Sequence, residues 1–462
     1  MPEAELTDWF LLQASLLFGL ERWYQLDMQV DSHTYTYRFD EWRHCPLDVS
    51  ALALYSVTSA VEAAQCLADA RGVESTFTLD IPQIPFSFSS LENLEVQNRK
   101  TVPWSPLSGF FKTLDGWVRL HGNYPHHAKA LTECFGTNDR ENLTKLFLSL
   151  PKHEIEESII LNGGIASAVR SSDEWNQTDQ SKEMIETAWI KTEVSQKDNA
   201  PPNLTDYYLP ASGIRVLDLT RVVAGPTCTQ ILACLGADVL RIDPPSMPEL
   251  EDQYISNGMG KNTAIVDFSH NKKMINSLIS QAHVVILGYS PHSLDKFGLS
   301  LSKLRNKYPD LLIASLSAWG ESGPWATRAG FDSIVQAATG ISHLCSTVNS
   351  DGELVPGALP VQALDHSTGF ILAARILESL AYNQSGVVHI SLLGAAQELF
   401  KISNTKDSDR KYSYLATHHN ISNVDSPYGQ ISVPAIPIKI DGMHLEGKIK
   451  RYGTSYPNWF SL

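Results

Sequence analysis

Short apolar runs alternate with amphipathic stretches along the chain from residue 213 to about residue 320. The runs have the length of strands, and the stretches between them carry apolar positions at helical spacing. The runs are GIRVLDLT, ADVLRIDPP, NTAIVDF, HVVILGY and DLLIASLSAWG, and the stretches include GPTCTQILACLGA, NKKMINSLISQA and SLSKLRNKYP. Strands that alternate with helices are typical of parallel βαβ units. The pattern therefore predicts an α/β fold with a doubly wound, Rossmann-like parallel sheet.

The first part of the chain, to about residue 205, mixes helical and strand-like patterns. LDVSALALYSVTSAVEAAQCLADARG predicts a helix that ends at Gly72, and FFKTLDGWVRLHGN predicts a hairpin around Asp115-Gly116. HHAKALTECFG and LTKLFLSLPKHEIEESIILNGG predict helices closed by glycine. The N-terminal MPEAELTDWFLLQASLLFGL lacks a basic segment, so it predicts an amphipathic helix rather than a signal peptide. Together these elements predict a smaller α+β domain.

Two changes of composition suggest domain boundaries. Residues 171–209 are polar and contain Pro201-Pro202, which is typical of a linker. From about residue 410 the chain is rich in strand and turn signals and has no strong helix signal. We therefore predict a helical and small α+β domain at 1–205, a Rossmann-like domain at 206–405 and a strand-rich tail at 406–462 that packs on the small domain.

Charge and cysteine content narrow the possible partners and locations. The formal net charge is -15, which disfavours binding to nucleic acids and to anionic membranes. No apolar run reaches the roughly 18 residues that suggest a membrane span. The six cysteines form no CxxC pair, so no zinc or thioredoxin-like site is indicated and no metal is expected. Free thiols in a long chain favour a cytoplasmic location, while a peroxisomal or mitochondrial one stays open.

Two familiar nucleotide-binding motifs are missing. The loop TRVVAGPTCTQ lacks GxGxxG, and GMGKNT fails as a P-loop because Asn262 follows Lys261. Lys261 is therefore expected at the surface or in contact with a phosphate, and the surface position is favoured. The loop from Arg221 to Pro226 still precedes a helix, so it is either a plain turn or an anion site.

Asp365 is the remaining candidate for chemistry. It stands in PVQALDHSTGFILAARILESL, at the start of a long apolar helix pattern. The local pattern favours a helix cap, because Asp is a preferred residue there. The alternative is a nucleophile, since a helix N-terminus would keep the carboxylate ionised and supply N–H donors to an oxyanion.

A run of ordered blocks resembles the family III CoA-transferases, which include formyl-CoA transferase and α-methylacyl-CoA racemase. The blocks begin at VLDLTRVVAGPTCTQILACLGADVLRIDPP, continue through GKNTAIVDF and YPDLLIASLSAWGESGPWATRAGFDSIVQAATG, and end at LPVQALDHSTGFILAARILESL. The likeness covers about residues 213–400. FFKTLDGWVRLHGNYPHHAKALTECFG resembles the family's smaller domain, which follows the α/β domain in simple members but precedes it here.

The resemblance assigns Asp365 as the nucleophile of a CoA-transferase. In the family this carboxylate attacks an acyl-CoA thioester, forms an anhydride and then an aspartyl-CoA thioester, and passes the CoA to a carboxylic acid. Phe331 stands where the racemases have a histidine, and Phe cannot move protons, which favours a transferase. A 2-methylacyl-CoA racemase and a non-catalytic relative that binds CoA esters stay as alternatives.

The resemblance also implies the substrate contacts and the assembly. Coenzyme A is expected as the acyl-CoA substrate, with Lys296 near a phosphate and Tyr289 or Phe297 near the adenine. The implied CoA-binding residues are Val222, Val223, Ala224, Val266, Gly288, Tyr289, Lys296 and Phe297. Family members form interlocked dimers, so a homodimer is expected, possibly interlocked.

Overall fold

A computed structural model describes residues 37–185, 187–197, 209–289, 291–404, 412–414 and 421–459. The amphipathic helix predicted at the N-terminus lies outside these residues. The helices are α1 Val49–Ala70, α2 Ile84–Phe88, α3 Pro125–Phe135, α4 Arg140–Phe147, α5 Lys152–Leu161, α6 Ser172–Asn176, α7 Asp179–Met184, α8 Ala224–Cys234, α9 Glu251–Asn257, α10 Lys272–Gln281, α11 Pro291–Asp295, α12 Leu301–Lys307, α13 Asp332–Thr339, α14 Ile341–Leu344, α15 Ala363–Ala381 and α16 Leu392–Asn404. Short 3₁₀ turns lie at Asp40–Trp42 and Ile81–Gln83.

The strands include many short ones from the first and last parts of the chain. They are β1 Tyr37–Phe39, β2 Phe77–Leu79, β3 Glu95–Val96, β4 Arg99–Lys100, β5 Gly109–Lys112, β6 Trp117–Leu120, β7 Ala166–Ala168, β8 Ile190–Gln196, β9 Arg215–Leu219, β10 Asp238–Asp243, β11 Asn262–Ile265, β12 Val284–Leu287, β13 Leu312–Ser317, β14 Thr347–Val348, β15 Leu354–Val355, β16 Gln384–Ser391, β17 Tyr412–Tyr414, β18 Ile421–Ser426, β19 Gly429–Pro434, β20 Ile438–Ile440 and β21 Met443–His444.

The largest sheet confirms the predicted α/β fold. Its strand order is β11-β10-β9-β12-β13-β16-β8. The six strands from β9 onward are parallel, and along the sheet they follow the order 3-2-1-4-5-6 of doubly wound dinucleotide folds. Helices cover both faces of such a sheet, which explains why β12 is fully apolar and buried.

The long helix α15 lies at the centre of the main core. Gly369 lets it approach α8 closely, since a Cβ there would lie 2.5 Å from the carbonyl oxygen of Ala224. On its other side α15 packs against α1, which begins after Asp48 and is followed by Gly72 with φ +68°, as predicted. By length and composition α1 could cross a membrane, but 72% of its most apolar window is buried inside the protein, as in a core helix.

A smaller unit formed by β5, β6, β7 and helices α3 to α5 has a core of its own. The predicted hairpin is confirmed, because β5 and β6 pair antiparallel around a turn in which Thr113 N–H donates to Gly116. The unit docks on α13 of the α/β part, where the N–H of Arg170 donates to the carbonyl of Ala337 at 3.0 Å. This core contains Leu107, Phe111, Val118, Leu120, Leu131, Leu143, Phe147, Ile155, Ile159 and Ala166.

The linker expected at 171–209 is wrong for its first part. Residues 172–184 form α6 and α7, and β8 joins the main sheet antiparallel to β16, with Ile190 opposite Ile390. Residues 198–208 lie outside the described part of the chain. A strand from before residue 205 thus completes the edge of the large sheet, and the domain boundaries at 205 and 405 stay predictions.

The C-terminal tail is strand-rich, as expected. Strand β19 pairs with β3, and β20 pairs with β2, so the tail packs on the segment 77–100 rather than on the sheet of β5 to β7. It also reaches the α/β part, where Ser455 N–H donates to Thr263 at 2.8 Å and the Trp459 indole donates to Leu278 at 3.0 Å.

Candidate active site

The candidate site begins at the point where the strand order reverses, between β9 and β12. Doubly wound sheets bind ligands outside the carboxyl ends of their strands at such a point. There Gly288 follows β12 and packs on Thr220, which follows β9; a Cβ at Gly288 would lie 3.1 Å from the Thr220 Cβ. Two residues after Thr220, Val222 has φ +70°, a strained value for a β-branched residue. Such strain clusters at functional sites.

The other predicted CoA contacts lie along the same edge of the sheet. Val223 and Ala224 are buried at the start of α8, and the N–H of Val266 donates to the carbonyl of Asp243 at 3.0 Å. The Tyr289 hydroxyl donates to the Asp243 carboxylate at 3.1 Å. The structure therefore brings these loop residues together, while their contact with CoA stays a prediction.

Lys296 and Phe297 lie farther along, after α11. Lys296 is exposed, with its Nζ 5.0 Å from the centre of the Phe297 ring. Phe297 is half-buried and meets Phe268 edge-on at 5.5 Å, so its ring is already partly used in packing. The exposed ammonium suits a phosphate contact, and this assignment also stays a prediction.

A buried ionic network holds the strained loop. Arg241 donates to Asp243 and to Glu249, each at 2.8 Å. Glu249 also accepts from the N–H of Val222 at 3.1 Å and from the Tyr124 hydroxyl of the small unit at 2.5 Å. Burial alone raises the pKa of Glu249, but Arg241 and Arg221 lower it to about 2, so this carboxylate is ionised. The network ties the loop, β10 and the small unit into one structure.

Asp365 is the third residue of α15, and its side chain does not cap the helix. Gln362 precedes α15 without a side-chain capping bond. The cap is supplied from α13: Asp332 Oδ2 accepts the N–H of Asp365 at 3.0 Å, and the Asp332 carboxylate also accepts from Leu364. Asp365 is 4% exposed, and its Oδ2 has no hydrogen-bond partner among the described residues. The cap interpretation is therefore wrong, and the carboxyl group is left unengaged.

The expectation that the helix N-terminus keeps Asp365 ionised is also wrong for this structure, in which the carboxyl group is buried. Burial, and then the neighbouring carboxylate of Asp332, raise the pKa of Asp365 well above its usual value. Burial raises the pKa of Asp332 to about 6 against the hydrogen bonds from Asp365, Gln336 and Leu364. Two close carboxylates disfavour each other's ionisation, and the hydrogen bonds that Asp332 accepts favour its charged form over that of Asp365.

The small unit covers this carboxylate pair. His121, which follows β6, lies with its ring centre 4.1 Å from that of Phe331, next to Asp332. A cavity of about 20 Å³ lies between them, with Val222 and Trp104 among its lining residues. That volume holds about one water molecule.

The sequence patterns did not indicate which residues of other elements surround the candidate site, and they predicted the wrong position for one lysine. Asp332, His121, Tyr124 and Glu249 were not singled out, although the alternation in WVRLHGN indicates polar residues on one face of a buried strand. Lys261, expected at the surface, is 1% exposed. Its Nζ donates to the Pro226 carbonyl at 2.7 Å and so ties α8 to the rest of the core.

The described residues contain no group of three or more His, Cys, Asp or Glu side chains that could hold a metal ion.

The profile of CoA-transferase family III matches residues 211–408. A probable fatty acyl-CoA transferase of Mycobacterium tuberculosis is 32% identical over 197 residues, which is 39% of this chain and 49% of that protein. An acyl-CoA transferase of Gibberella moniliformis is 28% identical over 360 residues, 72% of this chain and 60% of that protein. The human succinyl-CoA:glutarate CoA-transferase is 30% identical over 185 residues, 37% of this chain and 41% of that protein. The chain thus spans about half the length of the curated relatives it matches.

Solved structures overlap with this chain over less than half of its length. A crystal structure of the Mycobacterium tuberculosis relative is 32% identical, with a TM-score of 0.37 over 43% of this chain and 59% of that one. A Brucella suis protein of the CAIB/BAIF family is 24% identical, with a TM-score of 0.34 over 48% of this chain and 65% of that one. By the profile match and by the ordered blocks, residues 211–408 of this chain are similar to CoA-transferase family III.

Proposed function

We propose that this chain is a CoA-transferase that moves CoA from an acyl-CoA thioester to a carboxylic acid. The observation that carries the proposal is the unengaged carboxyl of Asp365, which is buried beside the switch point in the segment that matches the family. The names of relatives that act between succinyl-CoA and glutarate, or between formyl-CoA and oxalate, support the same reaction type.

The proposed chemistry proceeds through two kinds of acyl intermediate on one side chain. The Asp365 carboxylate attacks the thioester carbonyl, and CoA thiolate leaves from the tetrahedral intermediate to give a mixed anhydride. The thiolate then attacks the Asp365 carbonyl, which releases the first acid and leaves an aspartyl-CoA thioester. The acceptor carboxylate attacks this thioester and expels CoA thiolate, which leaves a second anhydride. The thiolate then attacks the acceptor carbonyl of that anhydride, which gives the new acyl-CoA and frees the Asp365 carboxylate.

Asp365 must lose its proton before it can attack. While the site is closed, burial and the charge of Asp332 raise the pKa of the Asp365 carboxyl group and so disfavour the loss of that proton. When the small unit moves to admit the thioester, water reaches the pair and the desolvation that raises the pKa is relieved. We infer that opening of the site and activation of the nucleophile are the same event.

Replacement of Asp365 by Asn tests the proposal. The side chain makes no cap, so Asp365→Asn keeps the shape of the site and removes only the nucleophile. Exchange of labelled CoA between donor and acid should fall by about 10³-fold or more. Mass spectrometry of the quenched wild-type reaction should find CoA on the peptide that contains Asp365. The exposed Asp351→Asn is the matched control and should keep full exchange; retained exchange in Asp365→Asn would refute the proposal.

One observation favours a second candidate, a 2-methylacyl-CoA epimerase. Phe331 cannot move protons, but the imidazole of His121 lies against it, with ring centres 4.1 Å apart, and an imidazole can serve as a general base. This reaction would place solvent deuterium on the α-carbon of the acyl group with no acid present. A protein that binds acyl-CoA yet shows neither deuterium uptake nor exchange would be the non-catalytic relative.

A further inference from the structure

The small unit carries a buried guanidinium, that of Arg119, without an ion-pair partner in the described part of the chain. Arg119 on β6 is 9% exposed, and its Nε has no hydrogen-bond partner. Among the described residues no carboxylate forms an ion pair with it, whereas the buried Arg170 and Arg241 each bind at least one carboxylate. Buried arginines are almost always paired, because desolvation of an unpaired charge is unfavourable.

Aromatic rings compensate Arg119 only in part. Its guanidinium carbon lies 4.8 Å from the ring centre of Trp104 and 5.0 Å from that of Phe110. Such contacts offset only part of the loss of hydration that burial of the charge causes. Burial lowers the pKa of Arg119 to about 10, so the side chain is still charged at neutral pH. The charge of Asp332 acts on Arg119, but among the described residues no carboxylate lies close enough to form an ion pair with it.

Arg119 is directed to the same region as the carboxylate pair. Residues 119 and 121 are two apart on an extended segment, so their side chains lie on one face. His121 lies against Phe331, and Trp104 contacts both Arg119 and His121, with ring centres of Trp104 and His121 6.1 Å apart. Asp332, beside Asp365, is the acidic group whose charge acts on Arg119. An anion on Arg119 would thus lie in the substrate region, on the small-unit side.

We propose that Arg119 binds a second, non-reacting carboxylate of the acid substrate, so that the acceptor class is dicarboxylic acids. This inference rests on the proposed transferase function. A carboxylate gripped by a guanidinium is a poor nucleophile, since its charge is neutralised by two parallel hydrogen bonds. The carboxylate that attacks the aspartyl thioester must therefore be the other one. Trp104, which contacts Arg119, and Asp332, which binds the main chain of Asp365, both line the cavity beside Phe331.

Substrate pairs that differ by one carboxylate test the assignment. With succinate against butyrate and glutarate against pentanoate, the wild-type protein should favour the diacid by about 10-fold or more in kcat/KM. Arg119→Met should remove this preference and raise KM for the diacid, while KM for the acyl-CoA donor is unchanged. Arg119→Lys, which keeps a charge but no fork, should retain part of the preference. The exposed Lys129→Gln on α3 is the control and should keep all of it.

Binding without turnover separates the two proposals. Saturation-transfer NMR of glutarate and pentanoate with the CoA-free protein should detect the diacid in wild type and not in Arg119→Met. If wild type shows no CoA exchange but this difference is found, the subsite stands and the transferase proposal falls. If exchange occurs and Arg119→Met binds or uses diacids as wild type does, the subsite is refuted.

A purely structural role for Arg119 makes a different prediction. If Arg119 served only to hold Trp104 and Phe110, Arg119→Met would lower Tm, and diacids would not change the Tm of the wild type. The proposal expects Tm of the free protein to be unchanged or raised in Arg119→Met, because an unpaired buried charge is removed. It also expects a rise of Tm with glutarate in wild type that is absent in the variant.

Discussion

A single carboxylate, Asp332, defines the environment of the proposed nucleophile. It accepts the first-turn N–H groups of α15 and so fixes the main chain of Asp365. Its charge also raises the pKa of the Asp365 carboxyl. The same residue therefore positions the main chain of Asp365 and raises the pKa of its carboxyl group, which links geometry to pH dependence.

Asp332→Asn should shift the pH dependence of the reaction. The amide oxygen can still accept the N–H of Asp365, but the like charge is gone, so the pKa of Asp365 falls toward its usual value. More of the nucleophile is then ionised at low pH, and the acid limb of the kcat/KM profile should move to lower pH. Asp332→Ala, which leaves the N–H groups unpaired, should lower kcat by about 10-fold or more. An unchanged acid limb in Asp332→Asn would show that the charge of Asp332 does not act on Asp365.

At the scale of elements, patterns local to one segment predicted the structure well. Strand β12 is a run of apolar residues buried on both faces, and the hairpin of β5 and β6 is marked by Asp115-Gly116. Strand β8 was missed because an edge strand exposes most of its side chains, and IKTEVSQ reads as a polar linker. Its place beside β16 depends on long-range pairing that no local pattern encodes.

The contact between α1 and α15 holds carboxyl groups that make stability depend on pH. Burial raises the pKa of Glu62 and of Glu378 to about 7 from 4.5, although Arg375 opposes both shifts. Groups with a raised pKa stabilise the folded state fully below about pH 4.5, and this contribution is lost as pH rises through about 7.

Glu62→Gln removes one of these groups and should change the pH dependence of stability. The variant should have a larger free energy of unfolding than wild type at pH 8, and the difference should shrink toward pH 5. Urea unfolding at both pH values measures this difference, and the exposed Glu74→Gln serves as the control. A difference that grows toward pH 5 would contradict the assigned sign.

At the scale of the whole molecule, the candidate active site is assembled from distant parts of the chain. Asp365 was predicted because its ordered neighbours resemble a family, but Asp332 belongs to another helix, and His121 and Tyr124 to the small unit. Their positions follow from how the small unit docks on the α/β part, which the sequence expresses only through packing. The homodimer and the cytoplasmic location stay predictions; light scattering coupled to gel filtration would measure the mass in solution.

The bond between Tyr124 and Glu249 connects the small unit to the strained loop at Val222. The cavity beside it holds only about one water molecule, so the proposed reaction predicts that this connection loosens when a substrate binds. Tyr124→Phe removes a hydrogen bond to a buried charged group and should lower the free energy of unfolding by about 1.5–3 kcal/mol. Amide hydrogen exchange should become faster in β5 to β7 and in the loop after β9, but not in β13. Equal acceleration in β13 would mean that the bond supports the whole core rather than the docking of the small unit.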